Sequence, residues 1–161
     1  MTKIKITTTI KAPIEIVFDT CRNIDIHQYS ASKTNEKAIA GRTSGLINKG
    51  ETVTWKGKHF GVYIQHESII SEMEFPIYFV DEQLKGHFKS FKHEHIFIQN
   101  KNQTLMTDIL KYETPFSVFG KLFNKIVLKN HLIKFILYRN SILKELSENH
   151  QHQPPQNRNT F

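Results

Sequence analysis

"FKHEHIFIQNKNQTLMTDILKYET" runs from Phe91 to Thr114 and reads as two extended segments around a polar turn at Asn100 to Gln103. Side chains alternate along a strand. Phe91, His93, His95 and Phe97 therefore share one face of the first segment, and Met106, Asp108, Leu110 and Tyr112 share one face of the second. Antiparallel pairing sets such faces side by side. A His–Asp couple is thus expected in an otherwise apolar wall. A buried carboxylate must be paired or protonated, because an unpaired charge away from water is costly.

The same alternation extends upstream. In "ETVTWKG" (51–57), Val53 and Trp55 fall on one side, and in "HFGVYIQHESII" (59–70), Phe60, Val62, Ile64 and His66 do. "FPIYFVDEQLKG" (75–86) contains a further strand from Ile77 to Leu84. Alternation sends Asp81 and Gln83 to one side of it and Glu82 to the other, without deciding which is inward. A short strand surrounds Ala38 to Ala40, and glycine, proline and asparagine signals separate these segments as antiparallel hairpins. At the N-terminus, "KIKITTTI" (3–10) alternates with Ile4, Ile6, Thr8 and Ile10 on one face. Two short helices follow, in "KAPIEIVFDTCRN" and "NIDIHQYS", the first with Pro13 near its start, where a missing N–H costs little.

The longest helical pattern spans Phe119 to Leu146 and carries two apolar stripes. Leu122, Phe123, Ile126, Val127, Ile133 and Leu137 are expected to cover the sheet. Leu128, Leu132, Phe135, Ile142 and Leu143 then face outward beside Lys121, Lys125 and Lys129. Such a face calls for a homodimer first and an anionic membrane surface second. Residues 1–147 form the expected single domain, and the polar segment 148–161, with Pro154 and Pro155, a disordered tail.

Composition narrows the function classes. The chain has 161 residues, 39% of them hydrophobic and 12 of them Phe, enough for one domain with a substantial core. The net charge of +7 permits anionic partners. The sequence shows no recognition helix or exposed aromatic platform, so no nucleic-acid partner is expected. Cys21 is the only cysteine, which excludes an intrachain disulfide and a cysteine-rich zinc site. With no apolar leader at the N-terminus and no membrane-spanning stretch, a cytoplasmic protein is expected. Phosphate-loop, dinucleotide and H-E-x-x-H motifs are absent, and His93 with His95 lacks an evident third ligand. Neither cofactor nor metal is expected.

One strand, two short helices, a run of antiparallel strands and a long C-terminal helix define an α+β fold. A curved sheet of about seven strands wraps on the helix in a helix-grip arrangement. "VTWKGKHFGV", "FVDEQLKGHFKSFKHEHIF" and "TLMTDILKYETPFSVFGKL" also resemble the SRPBCC group, the START-like or polyketide cyclase-like superfamily. The resemblance covers residues 3–146 and is closest to small bacterial single-domain members with no assigned role. That superfamily holds lipid and hormone carriers, ubiquinone-binding proteins, aromatic cyclases and oxygenase subunits whose iron site has no counterpart read in this sequence. The resemblance implies a ligand cavity between sheet and helix.

The expected cavity walls are Trp55, Phe60, Val62, Phe91, Phe97, Met106, Ile126 and Ile133. The expected polar groups are His93, His95, Asp108 and Tyr112. Apolar walls with a few polar groups suit a hydrophobic small molecule such as a lipid, an isoprenoid quinone or an aromatic polyketide-like compound. The alternative is a cyclase or dehydratase that uses a cavity histidine as general acid or base.

Overall fold

Strands with one apolar face must pack that face against something, and here it curves around a helix. The structure is a computed structural model that describes residues 1–115, 120 and 122–150. Its strands are β1 (Thr2–Ile10), β2 (Lys37–Gly41), β3 (Thr52–His59), β4 (Val62–Glu74), β5 (Tyr78–Lys85), β6 (Ser90–Asn100) and β7 (Gln103–Glu113). Helices α1 (Ile14–Arg22) and α2 (Ile24–Ser30) follow β1, and α3 (Lys129–His150) closes the fold. The strands form one antiparallel sheet in the order β1-β7-β6-β5-β4-β3-β2.

Local chemistry sets the corners. The Asn23 side chain accepts hydrogen bonds from the Asp25 and Ile26 amides and caps α2. Phe60 and Gly61, at φ 51° and 81°, make the two-residue turn between β3 and β4. Phe60 therefore leaves the strand it was expected to begin. Register shifts between β4 and β5, at Glu67/Ser68 and Ile70/Glu72, bend the sheet.

Two apolar clusters fill the concave side. One lies under α1 and α2 and includes Val17, Phe18, Trp55, Phe79, Phe97 and Met106. The other joins Ile4, Leu110 and Tyr112 to Leu128, Leu132 and Ile136. The long helix uses the opposite stripe from the one expected to cover the sheet. Leu128, Leu132, Ile136 and Leu143 are buried, whereas Leu122, Phe123, Ile126, Val127 and Leu137 are exposed. Two features explain the reversal. Both stripes are apolar, so periodicity alone cannot choose between them. The segment Asn124–Leu128 is also π-helical, which adds a residue to the turn and rotates the face that follows.

The helix continues to His150, and the Glu148 carboxylate accepts the Lys11 amide hydrogen at 2.8 Å. The first residues of the expected tail thus belong to α3; residues 151–161, like Lys121, lie outside the described residues.

Candidate functional site

Cross-strand partners share a face, and Trp55 with His66, Asp81 with His93, and His93 with Leu110 are such partners. All five line a cavity of about 670 Å³ between the sheet and α3. The helix contributes Leu132, Phe135, Ile136 and Arg139 to its roof. At one end Phe60 reaches in from the β3–β4 turn, its ring 5.6 Å from Phe123 and 4.5 Å from His131. Asp81 and Gln83 both line the cavity, which settles the inward face of β5.

Beside the cavity lies a buried polar network. His93 Nε2 is 2.8 Å from Asp108 Oδ1, and Asn140 Nδ2 donates to Asp108 Oδ2 at 2.7 Å. His95 Nδ1 is 3.1 Å from Asp108 Oδ1, yet it makes no hydrogen bond among the described residues, so this contact is close but badly aimed. The His95 ring stacks on Phe79 at 4.1 Å. Burial, reinforced by the neighbouring His93, lowers the pKa of His95 to about 3. Burial alone would raise the pKa of Asp108, but its histidine contacts outweigh burial and hold it well below the usual carboxylate range. At neutral pH the centre is therefore a carboxylate beside a neutral His95. His93, His95 and Asp108 bring three donor atoms within 4.8 Å of one another, close enough for an ion. The His93 and Asn140 bonds satisfy the carboxylate without one.

A second network crosses the far wall. His27 Nε2 is 3.0 Å from Glu36 Oε2, and its ring stacks on Trp55 at 4.1 Å. Burial, together with the Arg139 charge, lowers the pKa of His27. Burial opposes ionisation of Glu36, but the His27 hydrogen bond prevails and lowers its pKa. His59 Nδ1 and His131 Nε2 lie 3.2 Å apart at the end of the cavity marked by Phe60, and burial lowers both of their pKa values. Among the described residues, His27, His59, His66, His87, His93 and His131 line the cavity.

Of the twelve expected site residues, Trp55, Phe60, Phe91 and His93 line the cavity. The other eight do not, for separate reasons. Val62 has the right strand parity but sits at the hairpin tip, 63% exposed. His95, Phe97, Met106 and Asp108 also face the concave side, but that side is shared. Phe97 and Met106 pack into the core under α1 and α2, and the boundary of the cavity falls between His93 and His95. Tyr112 is fully buried against Phe88, and burial raises its pKa to about 12. Ile126 faces outward with its stripe, and Ile133 packs against the Tyr112 cluster.

Strand alternation had no means of finding the cavity residues His27, Glu36, His131 and Arg139, which come from helices and a connection. Arg139 did leave a signal. It falls on the stripe of Leu132, Ile136 and Leu143, a lone cation among apolar residues at helical spacing.

No protein-family description matches the chain, and no curated protein matches it in sequence. Solved structures do match in shape. A START superfamily protein from Mycobacterium smegmatis superposes with a TM-score of 0.69 at 12% identity, over 92% of this chain and 98% of that one. A protein from Thermus thermophilus, TTHA0849, gives 0.68 at 15% identity, over 91% and 99%. The major latex-like protein 151 of Panax ginseng gives 0.67 at 14%, over 91% and 97%. The fold is the SRPBCC-type helix-grip fold.

Proposed function

We propose that this chain binds a hydrophobic small molecule (a lipid, an isoprenoid quinone or an aromatic polyketide-like compound) between its sheet and α3. The supporting observation is the cavity itself. At about 670 Å³ it is the size of a small-molecule site, and Trp55, Ile64, Phe91, Leu110, Phe135 and Ile136 give it apolar walls. Water gains little from such a surface, so filling it with an apolar ligand is favourable. The START and latex-like neighbours have the same fold, which supports the reading without naming a ligand. Native mass spectrometry of the protein purified from its own source tests it. The expected result is a bound compound of a few hundred daltons, released by organic solvent. Protein that is empty and takes up none of a panel of lipids, quinones and aromatic polyketides overturns it.

One arrangement favours a second reading, a cyclase or dehydratase. His93 lines the cavity while its Nε2 contacts the Asp108 carboxylate, the geometry that orients an imidazole for proton transfer. Turnover lost in His93→Gln with ligand binding retained is the result that would favour it.

The reversed helix stripe moves the outward apolar face, on which a homodimer or a membrane contact was expected, from Leu128, Leu132 and Leu143, which are buried, to Leu122, Phe123 and Ile126, which are exposed. Either contact is therefore proposed on the face now exposed. Phe60, Val62, Leu122, Phe123 and Ile126 are exposed, and the Phe60 and Phe123 rings touch beside the cavity. Among the described residues no helix is long and apolar enough to cross a membrane. The proposed carrier is bacterial, works in the cytoplasm and needs no nucleic acid.

A further inference from the structure

Arg139 is 4% exposed and forms part of the cavity wall. A guanidinium remains charged and presents five N–H donors. Here Nη2 makes one long bond to the Cys21 carbonyl, 3.4 Å away, and Nε has no partner. The acids that share this interior are otherwise placed. Glu36 is held by His27, and Asp108 by His93 and Asn140. Asp81 faces the cavity from β5 and makes no ion pair with Arg139 among the described residues. A buried cation without a close anion is costly, and an anion delivered by the ligand removes that cost.

Resting on the ligand-cavity reading above, we infer that Arg139 is the head-group site and that the ligand is an amphipathic monocarboxylic acid, its carboxylate on the guanidinium and its apolar body along Phe91, Leu110 and Phe135. The fork of a guanidinium matches the two oxygens of a carboxylate. Charge count favours one negative charge over two. Glu36, Asp81 and Asp108 already sit in this interior, and a phosphate dianion would add two more charges against a single arginine. Asp81 is the acid free to oppose the ligand, so it sets how strongly the acid is preferred.

The test is calorimetric titration of the delipidated full chain with oleate, methyl oleate and oleyl alcohol at pH 7.5. Oleate is expected to bind about ten-fold more tightly than the ester or the alcohol, the worth of one charge-assisted hydrogen-bonded pair. Arg139→Met should lose the preference for the acid over the ester. Arg139→Lys keeps the charge without the fork and should retain only part of it. Asp81→Asn should widen the preference. Equal binding of acid and ester by the unmodified protein overturns the inference and leaves the cavity reading standing. Binding of none of the three overturns the inference and counts against an apolar ligand as well. If Arg139→Met proves unfolded by its melting curve, the acid-to-ester ratio of the unmodified protein and of Arg139→Lys decides.

Discussion

Asp108 and its partners form the most constrained part of the interior. One carboxylate oxygen meets His93, the other takes a hydrogen from Asn140, and the whole group is buried. Replacing Asp108 with Ala leaves the Asn140 amide and the His93 N–H without an acceptor, and that should cost about 1–3 kcal/mol in urea denaturation. An unchanged midpoint would mean that the carboxylate is hydrated in solution. The same group makes stability depend on pH. His95 has a folded pKa of about 3, below the ordinary histidine value near 6.5. Between those values the unfolded chain binds the extra proton, so stability falls as pH falls through that window. Asp108, also lowered, loses its contribution as pH drops below the ordinary carboxylate value toward its own. His27, His59 and His131 act in the same direction as His95. Urea midpoints should therefore decline steadily from pH 7 to pH 4, by up to about 1.4 kcal/mol per pH unit for each proton taken up. His95→Phe, which keeps the stack on Phe79, should flatten that slope; an unaltered slope would assign the proton uptake elsewhere.

At the scale of elements, the strands were legible and the long helix was only half so. A strand has two faces, and one residue of known polarity decides between them. Trp55 did so for β3, and the alternation of His93, His95 and Asp108 did so for β6 and β7. β5 carried acids on both faces, so only its contacts with β4 and β6 could place Asp81 and Gln83 inside. The site was less legible because the concave face covers two environments. Phe97 and Met106 were rightly inward, yet α1 and α2 claim that end of the sheet, and no local pattern records how far two short helices reach. On α3 the two apolar stripes were equivalent to a periodicity count, and the π-helical turn shifted their phase. The polar members of the true inner stripe, Arg139, Asn140 and Ser147, argued against it by hydropathy, although Arg139 faces the cavity and Asn140 serves Asp108. Paired truncations separate the stripes. Leu143→Ala removes a side chain that is 2% exposed and should cost about 2–5 kcal/mol. Leu137→Ala, at 51% exposed, should stay within about 0.5 kcal/mol. Equal losses in chemical denaturation would mean that the outward stripe is covered in solution.

Across the whole molecule, exposed apolar residues gather at the end of the cavity lined by Phe60 and Phe123. The β3–β4 hairpin tip offers Phe60, Val62 and Tyr63, and the start of the C-terminal helical region offers Leu122, Phe123 and Ile126, all exposed. The two elements meet where the Phe60 and Phe123 rings touch, at 5.6 Å. Cations flank them: Lys56 and Lys58 lie 5.5 and 6.0 Å from the Tyr63 ring, and Lys125 and Lys129 stand exposed on the helical side. Apolar side chains ringed by lysine, on a chain of net charge +7, suit an anionic bilayer, where insertion and charge add. A carrier docked this way would hold the Phe60 and Phe123 end of its cavity against the lipid, which shortens the passage of an apolar ligand through water. Flotation with liposomes measures it. The protein should float with vesicles containing phosphatidylglycerol, less with phosphatidylcholine alone, and less again as salt rises, since surface charge is screened within about 10 Å at 0.1 M. Ile126→Glu, at a position 61% exposed, should abolish flotation without moving the melting temperature. Protein that stays at the bottom of the gradient with both vesicles would deny the membrane this surface. The exposed ring would then need a protein partner to cover it, and a concentration-dependent mass in light scattering would point to a second copy of the chain.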